Sequence, residues 1–111
     1  VAFEDAAQRA RLQKYHGEKA DWVLHAWIDT WLSPAFAEWN LDAELERVTC
    51  PLLCLHGDND EFGSMAHPAR LERMSAGPAK VVMLEQCGHV PHREQEQRVL
   101  EAVSAFLSAL P

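Results

Sequence analysis

Two short apolar runs set the terms on which this chain can fold. Leu52–Asp60 reads LLCLHGDND and Val81–His89 reads VVMLEQCGH. Neither begins with the polar alternation of a half-exposed strand; continuous runs of this length are the pattern of a strand covered on both faces of a parallel sheet. Each run breaks at a turn containing glycine and delivers one ionisable residue just past it, Asp60 in the first and His89 in the second. Between them Ser64–Met74 reads as a helix, with Ser64 as N-cap and Pro68 in the first turn, where its missing N–H costs little. Gly77-Pro78 closes that helix. Strand, helix, strand over about 30 residues is a βαβ unit. The strands, Leu52–Leu55 and Lys80–Glu85, are therefore expected to be parallel, with a right-handed crossover. Pro51 stands at the start of the first strand, where no ladder bond is lost.

The flanks read as helical. Phe3–Tyr15 is rich in Ala, Gln, Arg and Leu, good helix formers, and Gly17 interrupts it. Glu18–Leu32 is a second helix with a wide apolar face, which predicts that it is covered on most sides. Pro34 stops it, Ala35–Trp39 forms one further turn, and Leu41–Thr49 is a polar connector with a helical turn. Glu94–Leu110 is the last helix, with Val99, Val103, Phe106, Leu107 and Leu110 on one stripe. The expected class is α/β, with a helical segment over 1–40 and the strand-bearing segment over 41–111. Two parallel strands do not make a stable sheet alone. The remaining strands are expected either from a partner chain or from the rest of a larger α/β protein, of which a chain starting at Val1 would be a fragment or processed product.

Composition narrows the function classes. Ten Lys+Arg against 17 Asp+Glu give a net charge of -7, a balance that repels phosphate backbones and argues against a nucleic-acid partner. No apolar run approaches the roughly 18 residues of a membrane span. The three cysteines, Cys50, Cys54 and Cys87, are odd in number and not spaced as a disulfide framework, so a reducing, cytoplasmic setting is expected. The four tryptophans, Trp22, Trp27, Trp31 and Trp39, all fall in the first part. Helical core packing is one reading. The other is that some line an apolar pocket for a small-molecule substrate. Trp27 and Trp31, with Phe62 from the first loop, are the candidates for substrate contacts.

In open α/β sheets, ligands bind beyond the carboxyl ends of the strands, where Asp60 and His89 both fall. A carboxylate against an imidazole fixes its tautomer and leaves the far ring nitrogen as general base. Other readings stand beside this one. Asp58 could be the acid. Ser64 could be a nucleophile instead of a cap. His56 could be a structural histidine at a strand end. His89 and His92 with Asp60 could ligate a metal. Cys87 adjoins the histidine in the same turn and reads as structural, since a nucleophile should face the ring across a site.

The segments HGDNDEFGS (His56–Ser64) and GHVPHREQ (Gly88–Gln95), with CPLLCLHG ahead and an amphipathic helix behind, resemble the C-terminal part of an α/β-hydrolase. The resemblance implies Asp60 as the acid and His89 as the base of a nucleophile–His–acid triad, and the Trp-rich helices of Glu18–Trp39 as cap-like. It implies hydrolysis of an ester, or of a carbon–carbon bond in a β-diketone-like substrate, without metal or cofactor. The family's nucleophile elbow, GxSxG, is absent, as is its first oxyanion-hole loop, and Ser64 stands where proline is common. The implied partner is the missing N-terminal part of the hydrolase core, which would carry the nucleophile, and this chain alone is expected to be inactive. An upstream Asp in place of Ser would give haloalkane or epoxide chemistry on the same fold. A reading from another class is a non-catalytic module that completes a sheet with a partner chain.

Overall fold

A computed structural model describes residues 5–111; the predicted helix start at Phe3 lies outside them. The chain divides into two compact units, Val1–Asn40 and Leu41–Pro111.

The first unit is helical. Helix α1 (Ala6–His16) starts where the Asp5 carboxylate accepts the Ala7 N–H at 3.0 Å and ends at Gly17, whose φ of 54° suits a residue without Cβ. A 3₁₀ turn, Gly17–Lys19, leads into α2 (Ala20–Trp31), and a second, Pro34–Phe36, follows it. Leu24 is the only buried residue of α2. The wide apolar face predicted for this helix is not covered: Trp22 is 71% exposed and Trp27 55%. The reason lies in α1, whose sequence AAQRARLQKYH offers one large aliphatic side chain, Leu12, and otherwise Ala and polar groups. Trp31 meets Phe36 and Trp39 edge to face, and those two rings stack at 5.1 Å, a favourable aromatic arrangement.

The second unit holds the βαβ motif, so the fold is broadly α/β. After a short helix α3 (Asp42–Leu45), strand β1 (Leu52–Gly57) pairs in parallel with β2 (Ala79–Leu84), in register from Leu52↔Ala79 to Gly57↔Leu84. The crossover helix α4 (Ala66–Met74) packs on both strands and α6 (Glu96–Ser108) on β1. The strands are only half-buried; within them Gly57 and Leu84 alone are fully so. This differs from the expected burial on both faces, because among the described residues no third strand flanks the pair.

Two local expectations are corrected. Helix α4 begins at Ala66, so Ser64 is not its N-cap, and no side chain caps it. Ser64 instead offers its carbonyl to the His67 N–H at 3.1 Å. Gly77 does not cap the helix either. A Cβ there would lie 2.4 Å from the Cys50 carbonyl and 2.5 Å from that of Thr49, so glycine lets the end of the crossover lie against the entry to β1 while its N–H reaches Val48 O at 2.8 Å. Arg70 of α4 forks onto Asp42 of α3 at 2.7 and 2.5 Å, which holds the Asp42 carboxyl below its ordinary range.

The predicted last helix is two. Helix α5 (Pro91–Glu94) stops at Gln95, whose backbone leaves helical space at φ -141°, ψ 54° before α6 begins. The Gln95 side chain reaches back to the carbonyls of Glu85 at 2.8 Å and Gln86 at 3.1 Å, bonds that compete with helical continuation. On α6, Val99, Ala102, Val103 and Phe106 are half-buried, while Leu107 and Leu110 of the expected stripe are 58% and 38% exposed. No helix among the described residues is long and apolar enough to cross a membrane.

Candidate active site

The two strands end side by side because Gly57 allows it. A Cβ at this position would lie 2.2 Å from the Cys87 carbonyl oxygen and 2.3 Å from that of Gly88. The loops beyond the strands are then tied together. Asp58 N–H donates to Leu84 O at 3.0 Å and Asn59 N–H to Cys87 O at 2.9 Å, while the Asp58 carboxylate accepts the Cys87 N–H at 3.2 Å. Asp58 is thus spent on joining the two loops, and Asp60 is the carboxylate that meets the histidine.

Asp60 sits in a tight turn of its own making. Its Oδ1 accepts the N–H groups of Phe62 at 2.8 Å and Gly63 at 2.9 Å, the self-turning habit of aspartate in loops. Both its oxygens lie 3.0 Å from His89 Nδ1. The side chain of Asp60 is 7% exposed and that of His89 51%. Burial pushes the Asp60 carboxyl up, but the hydrogen bonds from His89, Phe62 and Gly63 outweigh it and hold the pKa at about 2. An ionised carboxylate can only accept, so Nδ1 carries the hydrogen and the lone pair of the neutral ring is on Nε2. The ring is open enough to receive a reacting group from solvent. Phe62, 66% exposed, meets the imidazole edge to face at 5.0 Å.

The histidine's loop is held from the other side by Glu94. Its carboxylate accepts the Gly88 N–H at 2.7 Å and the Val90 N–H at 3.2 Å, the amides on either side of His89. Gly88 lies close under these carboxylates: a Cβ there would fall 3.0 to 3.2 Å from oxygens of Glu94 and Glu61, which would have to shift by a few tenths of an ångström. The sequence shows Glu94 only as the first residue of the predicted last helix. The signal that identifies it is a Glu near a helix start, a position from which a side chain reaches back to the amides before the helix.

Of the sequence candidates, Asp60, His89 and Phe62 come together, while Trp27 and Trp31 belong to the first unit. A cleft of about 230 Å³ in that unit, lined by Arg9, Leu12, Asp21 and Leu24 among others, contains none of the candidates. His92 lies on α5, exposed, and among the described residues no three His, Cys, Asp or Glu side chains group as metal ligands. Cys87 is fully buried; burial and then the charge of Glu94 push its thiol up, the opposite of a reactive thiolate. Burial also raises Cys54, and all three cysteines are free thiols.

The arrangement can take a proton at His89 Nε2 and stabilise the resulting imidazolium through Asp60. Comparisons of the chain with models of protein families, with curated proteins and with solved structures found no match.

Proposed function

We propose that the second unit supplies the acid and base of an α/β-hydrolase-type site. Its substrate would be a small apolar ester, or a compound cleaved at a carbon–carbon bond, and its nucleophile would come from a segment outside these 111 residues. The observation that carries this reading is the Asp60–His89 pair, 3.0 Å apart beyond the carboxyl ends of two adjacent parallel strands. It is supported by the HGDND and GHVPH segments that place the pair and by the tautomer that Asp60 imposes.

In this mechanism His89 Nε2 takes the proton of the nucleophile's hydroxyl as it attacks the substrate carbonyl. His89 then returns the proton to the leaving group, and an acyl-enzyme remains. Water, deprotonated by the same Nε2, attacks that ester; the second proton goes back to the nucleophile and the acid product leaves. Asp60 keeps the ring oriented and stays ionised throughout. Phe62, exposed beside the imidazole, favours apolar substrates.

The test is turnover of model aryl esters by the intact natural protein and its His89→Ala variant. Loss of about three orders of magnitude or more is expected with little change in melting. Retention of more than about a tenth of the wild-type rate removes His89 from catalysis.

The half-exposed strands favour a second reading, a module that completes a sheet with a partner. On that reading the His89→Ala variant keeps its partner and no esterase activity accompanies the complex.

A further inference from the structure

Asp60 has a second imidazole beside it. His56, near the end of β1, has a side chain only 13% exposed, and its Nε2 lies 3.1 Å from the Gly63 carbonyl oxygen and 3.8 Å from Asp60 Oδ2. The longer distance is no hydrogen bond; the shorter one is. A carbonyl only accepts, so His56 Nε2 carries a hydrogen and donates it to Gly63. Gly63 is the residue whose own N–H donates to Asp60 Oδ1. It lies between the two side chains: a Cβ on it would be 3.2 Å from Asp60 Oδ2 and 3.4 Å from His56 Cε1. One residue, Gly63, therefore links the imidazole on β1 to the turn that orients the carboxylate, through the peptide groups on its two sides.

We propose that His56 is a positioning residue for Asp60. It acts through Gly63 and fixes the 60–63 turn so that both carboxylate oxygens face His89. Strand β1 is held in register by its ladder with β2, so His56 gives the far end of the 60–63 turn a tie to the sheet, beside the bond of Asp60 N–H to Gly57 O at its near end and the contact of Asp60 with His89. The functional meaning of this role rests on the reading of Asp60 and His89 as acid and base; the linkage does not.

The test separates donor from bulk. In the full chain, His56→Gln keeps an N–H donor near the place of Nε2, His56→Asn places it one carbon short, and His56→Phe keeps the ring volume with no donor. The readouts are amide hydrogen exchange at Phe62 and Gly63, with the β1 amides as control, and the proton resonance of His89 Nδ1–H. In the Asn and Phe variants, exchange at Gly63 is expected to rise about tenfold, the size of one lost hydrogen bond. The Nδ1–H resonance should broaden or shift, with strand exchange unchanged. The Gln variant is expected within about threefold of wild type. Equal effects of all three substitutions, including unfolding of all three, would overturn the proposal and make His56 a packing residue. No effect of any would overturn it too. An inactive His56→Phe enzyme beside a fully active His89→Ala enzyme would sink the triad reading while leaving the exchange result standing.

Discussion

Replacing Gly57 by Ala puts the central geometric claim at risk with a single methyl group. The new Cβ would sit 2.2 Å from Cys87 O, 2.3 Å from Gly88 O and 2.6 Å from Cys87 C. All three are backbone atoms, so no rotamer relieves the contact. Ordinary van der Waals separation asks the two segments to part by about 1 Å. The bonds across this junction are Asp58 N–H to Leu84 O at 3.0 Å, Asn59 N–H to Cys87 O at 2.9 Å, and Cys87 N–H to the Asp58 carboxylate at 3.2 Å. Parting by that amount takes two or three of them beyond hydrogen-bonding range. At about 1 kcal/mol each, with about 1–3 kcal/mol for overpacking, the expected loss is about 3–6 kcal/mol, a large part of the stability of a small domain. Denaturant unfolding of the full chain, with the His89 Nδ1–H resonance followed in parallel, checks it. Gly17→Ala is the control: nothing lies within 4 Å of the added Cβ, but its φ of 54° with ψ of -131° is outside the left-handed helical region, so its cost is about 1–3 kcal/mol of backbone strain alone. A cost for Gly57→Ala no greater than that for Gly17→Ala, or an Asp60–His89 hydrogen bond unchanged in the variant, would refute the role of Gly57 at this junction.

Two further outcomes follow from the same loops. The Asp60 carboxyl titrates at about 2 in the folded chain against an ordinary 3.8, so its contribution to stability is complete above about pH 4 and is lost as pH falls through 2; acid unfolding of Asp60→Asn should lack that component, and identical acid transitions in the two proteins would count against the buried, hydrogen-bonded carboxylate. Gln86 holds a φ of 54° in the turn after β2, so Gln86→Gly should be neutral or stabilise by up to about 1 kcal/mol while Gln86→Val costs more than about 1 kcal/mol, a ranking that thermal melting of the three proteins decides.

The parallel pair and its crossover were legible because their signals are local. Leu52–Leu55 and Val81–Leu84 are continuous apolar runs, and the segment between them carries Pro68 in the first turn of its helix, which ends at Met74, short of the Gly77-Pro78 step. The positions of Asp60 and His89 just past the strand ends were legible for the same reason. What distinguishes Asp60 from Asp58 was not, because it depends on which carboxylate turns toward the opposite loop, a matter of contacts 29 residues apart in sequence. The break at Gln95 and the clamp at Glu94 are side-chain-to-backbone bonds, invisible to a pattern of apolar spacing, which reads Glu94–Leu110 as one helix. The exposure of Trp22 and Trp27 was likewise hidden: a helix's own sequence shows how much apolar surface it carries, not how much its neighbour α1 can cover.

Among the described residues, the hydrogen bonds that orient Asp60 and His89 are made within Leu41–Pro111: the amides of Phe62 and Gly63, the clamp of Glu94, the junction at Gly57. On the proposed reading, the entropy of bringing an acid and a base into line would be spent when the chain folds and not again in each turnover. Such a pre-set pair is indifferent to the identity of the group it serves. A serine, a cysteine or a water molecule presented to Nε2 would meet the same oriented lone pair, and the chemistry that results would be chosen by the segment that brings the nucleophile.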